Sequence, residues 1–141
     1  MSKNAIHFIS QFIDEKNTAV ISAHVEHANY QRTNYTPNLS MGYYLKQFYG
    51  KDYCCIGECV YEDSLKVANQ GRLDSGRLPA PPQNSIEAVL HHTGKPLIYI
   101  NSNDLSGLCK IRIQGMSTLP ESEMDQFINM RTQLDGLLFV K

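Results

Sequence analysis

Neither sign of charge is in excess: 13 lysines and arginines stand against 14 aspartates and glutamates, a net charge of −1. A generic nucleic-acid or acidic-membrane binder carries a basic surplus or a clustered basic stripe, so neither partner is expected. No run approaches the ~18 apolar residues of a membrane span. The opening MSKNAIHFISQFIDEKN places Asp14 and Glu15 where a secretion signal would carry its apolar core and cleavage site. A soluble, cytoplasmic chain is therefore the expectation. There is no G-x-S-x-G elbow, which disfavours a nucleophilic-serine hydrolase. Neither a Walker loop nor a G-x-G-x-x-G turn follows any apolar run, which argues against nucleotide binding.

Cysteine is scarce and badly spaced for a framework. Cys54, Cys55 and Cys59 crowd into YCCIGEC and Cys109 stands apart, with no C-x-x-C pair. Neighbours on a strand point to opposite faces, so Cys54 and Cys55 cannot easily share a partner. Zinc and thioredoxin-type redox chemistry are weakened, and free buried thiols in a reducing compartment are expected. The chain's 141 residues suit one domain over 1–141, able to bury roughly 70% of its unfolded surface without a staple.

What is present alternates. Ile6, Ile9, Phe12 and Ile13 fall at helical spacing within Ser2 to Lys16. Thr18 to Ala23, TAVISA, reads as a strand buried on both faces, followed by a polar loop from His24 to Asn38. Ser40 is placed to cap a helix that Gly50 ends, and Tyr53 to Val60 reads as a second strand. Glu62 to Gln83 reads as loop, and Pro81 and Pro82 bar a helix interior there. Asn84 with Glu87 resembles a capping box for IEAVLHH, which Gly94 stops. Pro96 to Ile100 and Gly136 to Val140 read as buried strands, Cys109 to Ile113 as an edge strand or a hairpin arm, and Glu121 to about Met130 as a short helix. Apolar strands alternating with capped helices predict an α/β fold: three layers, α/β/α, around a mostly parallel sheet.

In open α/β sheets ligands bind beyond the carboxyl ends of the strands. The residues leaving the first predicted strand are His24, Val25, Glu26 and His27. Imidazole titrates near neutrality, so such a pair can take a proton from water and return it to a leaving group. The bland alternative is two loop histidines bonded to backbone carbonyls. HVEH is not the helical H-E-x-x-H of zinc hydrolases, so zinc held by His24 and His27 with Glu26, Glu58 or a cysteine is the weaker alternative. His91 and His92 close a helix, where cations favour its dipole. Glu58 lies inside a strand expected to be buried, and an unpaired buried carboxylate is costly. It either faces the crevice of His24 or pairs with Arg72 or Arg77.

The order AVISAHVEH, SMGYYLKQFYGKDYCCIG, LPAPPQNSIEAVLHHTG and LDGLLFV resembles the carboxyl-terminal half of the erythromycin esterase family, also labelled succinoglycan biosynthesis proteins. There a strand ends in a W-A-H-N-x-H-type motif, a helix opens S-M-G, a strand ends I-G, a proline-rich stretch leads to another helix, and a D-G/A-L-hydrophobic strand closes the domain. The resemblance implies an α/β/α ester hydrolase that activates water with histidine and glutamate, without a serine nucleophile; no metal or cofactor is expected. Its histidine pair falls on His24 and His27, with Glu26 or Glu58 assisting. Val25 stands where the family usually has Asn, and Ser22 where it often has Trp. Members are much longer, and their amino-terminal half carries further catalytic glutamate and histidine. The expected partners are thus a small-molecule ester and either a second copy of this chain or a complementary half-protein. The alternative function is a catalytically deficient remnant acting as a binding module.

Overall fold

The computed structural model describes residues 2–14, 17–31, 39–61, 64–69, 72–77, 80–105, 108–112 and 125–141. The helices are α1 (Ser2–Phe12), α2 (Val25–Ala28), α3 (Met41–Tyr49), α4 (Ile86–His92) and α5 (Met130–Gln133). The strands are β1 (Ile56–Val60), β2 (Ser64–Asn69), β3 (Arg72–Arg77), β4 (Leu97–Asn101), β5 (Leu108–Arg112), β6 (Asp125–Asn129) and β7 (Gly136–Val140). Local signals set several ends. The Ser40 hydroxyl accepts from the Tyr43 N–H at 3.0 Å, capping α3. Gly50 and Gly94 take positive φ of 56° and 73°, open to glycine at little cost, where α3 and α4 stop. Ser85, not Asn84, caps α4 by accepting from the Ala88 N–H at 3.3 Å, which leaves Glu87 for another role.

The principal sheet has the order β1-β7-β4. β1 runs parallel to β7, with Glu58 beside Leu138, and β4 runs antiparallel to β7, with Tyr99 beside Leu138. One parallel and one antiparallel pair do not make the mostly parallel sheet expected. The expectation treated each helix as a crossover between parallel neighbours. Here the β2–β3 hairpin intervenes before α4, and β4 emerges running against β1 and β7. That hairpin also corrects part of the loop expected over 62–83: Leu65, Val67 and Leu73 lie in its paired arms, Ser64–Asn69 and Arg72–Arg77. β6 occupies 125–129 where the end of a helix was expected, pairing with β5 as Ile111 opposes Gln126. The earlier part of that expected helix lies outside the described residues.

The core forms on one face of the sheet. Phe139 and Leu137 of β7 and Cys59 of β1 pack with Ile86 and Leu90 of α4, and with Met130 and Leu134 around α5. The opposite face carries the exposed Ile56, Glu58, Leu97 and Tyr99, and is open among the described residues. Thr18 to Ala23 is a further correction: it forms no strand, and Val20 is 91% exposed. Its β-branched composition suits a strand, but extended backbone needs a hydrogen-bonding neighbour, and no described strand lies alongside it. Cys54 is exposed rather than buried; Cys55 and Cys59 are buried thiols as expected.

Candidate functional site

One helical turn carries both histidines. The His27 N–H donates to the His24 carbonyl at 2.8 Å and the Asn29 N–H to the Val25 carbonyl at 2.9 Å. Residues three apart on such a turn share a face, and the two imidazole centroids lie 6.3 Å apart, edge to face. His24 is half-buried and His27 exposed. Glu26 sits on the same turn, with its side chain outside the described residues. Glu58 is exposed at the middle of β1, on the sheet's open face rather than buried in the strand. The side chains of Arg72 and Arg77, its expected cationic partners, lie outside the described residues.

The turn is braced from three sides. Gly42, near the start of α3, lies so close to the Ala28 and Asn29 carbonyls that a Cβ there would overlap them. The Ser40 hydroxyl donates to the Asn29 carbonyl. The Tyr53 hydroxyl donates to the Ala28 carbonyl at 2.8 Å. Burial, then the neighbouring Cys55, pushes the Tyr53 phenol well above its ordinary range, which keeps it a donor. The S-M-G that accompanies the H-x-x-H in sequence therefore has a mechanical meaning: its Ser-x-Gly backbone seats the histidine turn.

Below the turn a polar knot ties it to the sheet. The Tyr30 N–H donates to the Gln133 carbonyl at 3.0 Å, and its hydroxyl donates to the Asp135 carboxylate. That carboxylate also accepts the Cys55 N–H at 2.8 Å. Lys46 donates to the Tyr53 carbonyl at 2.9 Å, lies 3.8 Å from Asp135 and 4.5 Å from the Tyr30 ring centroid. Residues 53–55 precede β1 and 133–135 precede β7. The turn is thus anchored beside the amino-terminal ends of these strands, not at the carboxyl-end crevice the topology rule suggested. That rule presupposed a leading strand over Thr18 to Ala23, which is absent. Tyr53→Phe removes one brace without changing shape, and its expected cost is about 1 kcal/mol in urea unfolding.

The buried thiols supply no nucleophile. Burial, then the neighbouring Cys54, pushes Cys55 up to about 11; burial, then Glu87, pushes Cys59 up to about 12. Both stay protonated at neutral pH, and the thiol is the unreactive form. Among the described residues no group of three or more His, Cys, Asp or Glu could hold a metal ion.

A second polar cluster escaped the sequence reading. Glu87 is 1% exposed; its Oε1 accepts the Arg112 N–H at 2.9 Å, and its Oε2 is buried without a hydrogen-bond partner. The Arg112 guanidinium donates to the Val60 carbonyl at 2.6 Å and to that of Tyr61 at 3.3 Å, closing the carboxyl end of β1. The Tyr61 ring stacks on His91 at 3.6 Å. His91 thus packs rather than being solvated, while the His92 ring nitrogen meets the Ala88 carbonyl at 2.6 Å. Position supplied the missed signal: Glu87 lies three residues before Leu90, on the apolar face of α4.

The sequence matches the erythromycin esterase family over residues 1–141. Two crystal structures share the fold. One is a Bacillus cereus protein with 21% identity and a TM-score of 0.67, matched over 83% of this chain and 31% of that one. The other is a succinoglycan biosynthesis protein with 15% identity and a TM-score of 0.69, matched over 84% and 31%. The chain thus corresponds to about a third of each of those proteins. No curated protein matches it.

Proposed function

Because the chain belongs to the erythromycin esterase family, we propose that it is a hydrolase-like domain whose H-x-x-H turn takes part in water-mediated cleavage of a small-molecule ester. His24 accepts a proton from water as the oxygen attacks the ester carbonyl carbon. His27 donates toward the oxyanion that forms. The tetrahedral intermediate then collapses, the carbon–oxygen bond to the alcohol breaks, and the imidazolium of His24 returns its proton to the leaving alkoxide, giving acid and alcohol. The assisting carboxylate is Glu26, which shares the turn; Glu58 belongs to another surface. A single base requires an orienting partner and further oxyanion donors, so groups beyond this turn, from the rest of the family fold or from a second copy, complete the centre.

The observation that carries this reading is the imidazole pair, 6.3 Å apart on a turn locked against Gly42. The test is hydrolysis of a panel of small carboxylic esters. His24→Ala and His27→Ala are each expected to lower kcat/KM by about a hundredfold, and unchanged rates in both variants refute the assignment. The exposed Thr18 to Ala23 stretch and open sheet face favour a second reading, an interaction module without turnover. A wild-type chain inert on the whole panel yet forming a defined oligomer supports that module.

A further inference from the structure

Asp135 sits where the three strands of the principal sheet come together. Its N–H donates to the Cys55 carbonyl at 2.8 Å, just before β1, and its carbonyl accepts the Ser102 N–H at 3.0 Å, just after β4. Leu134 and Gly136 on either side are buried. A carboxylate on backbone held from both edges is a fixed point, the kind of support a reactive constellation needs. One of its oxygens, Oδ2, accepts both the Tyr30 hydroxyl and the Cys55 N–H, while Oδ1 lies 3.8 Å from the Lys46 ammonium. Tyr30 follows His27 by three residues. Its oxygen also accepts the Cys55 N–H at 3.0 Å and Lys46 at 3.4 Å, and its ring meets Tyr53 edge to face at 5.8 Å. Gly42, Ser40 and Tyr53 brace the turn at its backbone carbonyls; Tyr30 instead carries a link to β7 through a side chain.

We propose that Asp135 is a positioning residue for the imidazole pair: through the Tyr30 hydroxyl it sets where His24 and His27 stand relative to the ends of β1 and β7. The Asp of LDGLLFV thus acts on the H-x-x-H through a residue 105 positions earlier in the chain. Its charge matters, because a hydrogen bond to an ionised acceptor is about twice as strong as a neutral one. A base displaced by about 1 Å loses up to a hundredfold in rate, so the link acts on turnover rather than on substrate affinity. The effect on rate rests on the hydrolytic reading; the positioning of the turn does not.

The test is Tyr30→Phe in the full chain, which removes the hydroxyl and keeps the ring, the Lys46 contact and the bond between Asp135 and Cys55. Two quantities are measured: kcat and KM on the ester panel, and amide hydrogen exchange residue by residue. The expected result is a kcat about tenfold lower at unchanged KM, with exchange at His27 and Asn29 about tenfold faster and exchange at Leu137 and Phe139 unchanged. Asp135→Asn keeps an accepting oxygen without the charge, and a smaller change in both quantities is expected. The double variant is expected to match Tyr30→Phe, because once the hydroxyl is gone the charge has nothing to hold. A kcat that does not fall, or a loss confined to KM, overturns the proposal. So does exchange that stays unchanged at His27 and Asn29, or that rises equally in β7, the mark of a merely structural role. Losses that multiply in the double variant show that Asp135 does not act through Tyr30, and overturn it as well. A wild type inert on every ester refutes the hydrolytic reading alone, and selective exchange then decides the positioning by itself.

Discussion

Gly42→Ala is expected to destabilise the fold by about 3 kcal/mol and to abolish whatever chemistry the histidine turn performs. Elsewhere in a helix the same change helps, since alanine is the better helix former by about 1 kcal/mol. At Gly42 the sign reverses, because the added methyl would occupy the space of the Ala28 and Asn29 carbonyls. Backbone cannot rotate aside as a side chain can, so either α3 or α2 must shift, and overpacking of this kind costs 1–3 kcal/mol or more. A shift of α2 also breaks the Ser40 and Tyr53 hydrogen bonds to that same backbone. Urea unfolding of the purified variant gives the size and sign. A variant as stable as the wild type, or more stable, would show that the close approach of α3 to the turn is not what holds the histidines.

Glu87 carries the second large effect. Glu87→Ala strips the Arg112 N–H of its acceptor inside the core and leaves a void beside Cys59 and Leu90, for an expected loss of about 3 kcal/mol. Glu87→Gln separates charge from shape. Burial raises the proton affinity of this carboxyl in the folded chain above that of the unfolded one, more than its own backbone N–H, then Ser85 and Arg112, lower it. The folded state therefore binds more protons than the unfolded. The favourable contribution is complete below the ordinary carboxylate range and is lost as pH rises through the raised value. Glutamine mimics the protonated acid and cannot ionise. Unfolding free energies across pH should then coincide for wild type and Glu87→Gln in acid, and diverge with the variant more stable as pH rises. Parallel curves at every pH would mean that Glu87 holds its charge in the core without penalty.

The elements legible in the sequence were those with local chemical signatures. Ser40 and Gly50 bounded α3 because a hydroxyl cap and a left-handed glycine act within one turn. The apolar runs at 53–60, 96–100 and 136–140 became β1, β4 and β7 because five or so consecutive apolar or β-branched residues suit a half-buried ladder. What depends on partners distant in sequence was not legible. TAVISA has every strand preference and, among the described residues, no strand beside it. The direction of β4 depends on how the chain turns through a hairpin and a helix after β1, which no window of residues encodes. Ser64 to Arg77 was hidden by its charged, glycine-containing composition, although Leu65, Val67 and Leu73 carry the alternation of a hairpin.

The site divides in the same way. His24 and His27 were visible as a pair, since residues three apart need only one helical turn to meet. Their location at the amino-terminal ends of β1 and β7 was not, because it rests on Tyr30, Tyr53 and Asp135, whose meeting spans 105 residues of chain. Glu87 was read as a local cap because its true partner, the backbone of Arg112, lies 25 positions away. Glu58 was assigned to a buried strand because the largely apolar run from Tyr53 to Val60 conceals which of its two faces is covered.

Non-additivity measures most directly whether the two imidazoles form one hydrolytic centre. Ester hydrolysis by the His24→Ala/His27→Ala double variant is compared with each single variant, after circular dichroism has confirmed the fold of all three. Groups that act as a unit are lost together, so the double variant is expected to hydrolyse no more slowly than the more damaged single variant. Rates for all three equal to that of the wild type, or losses that multiply in the double variant, would contradict a shared centre on this turn.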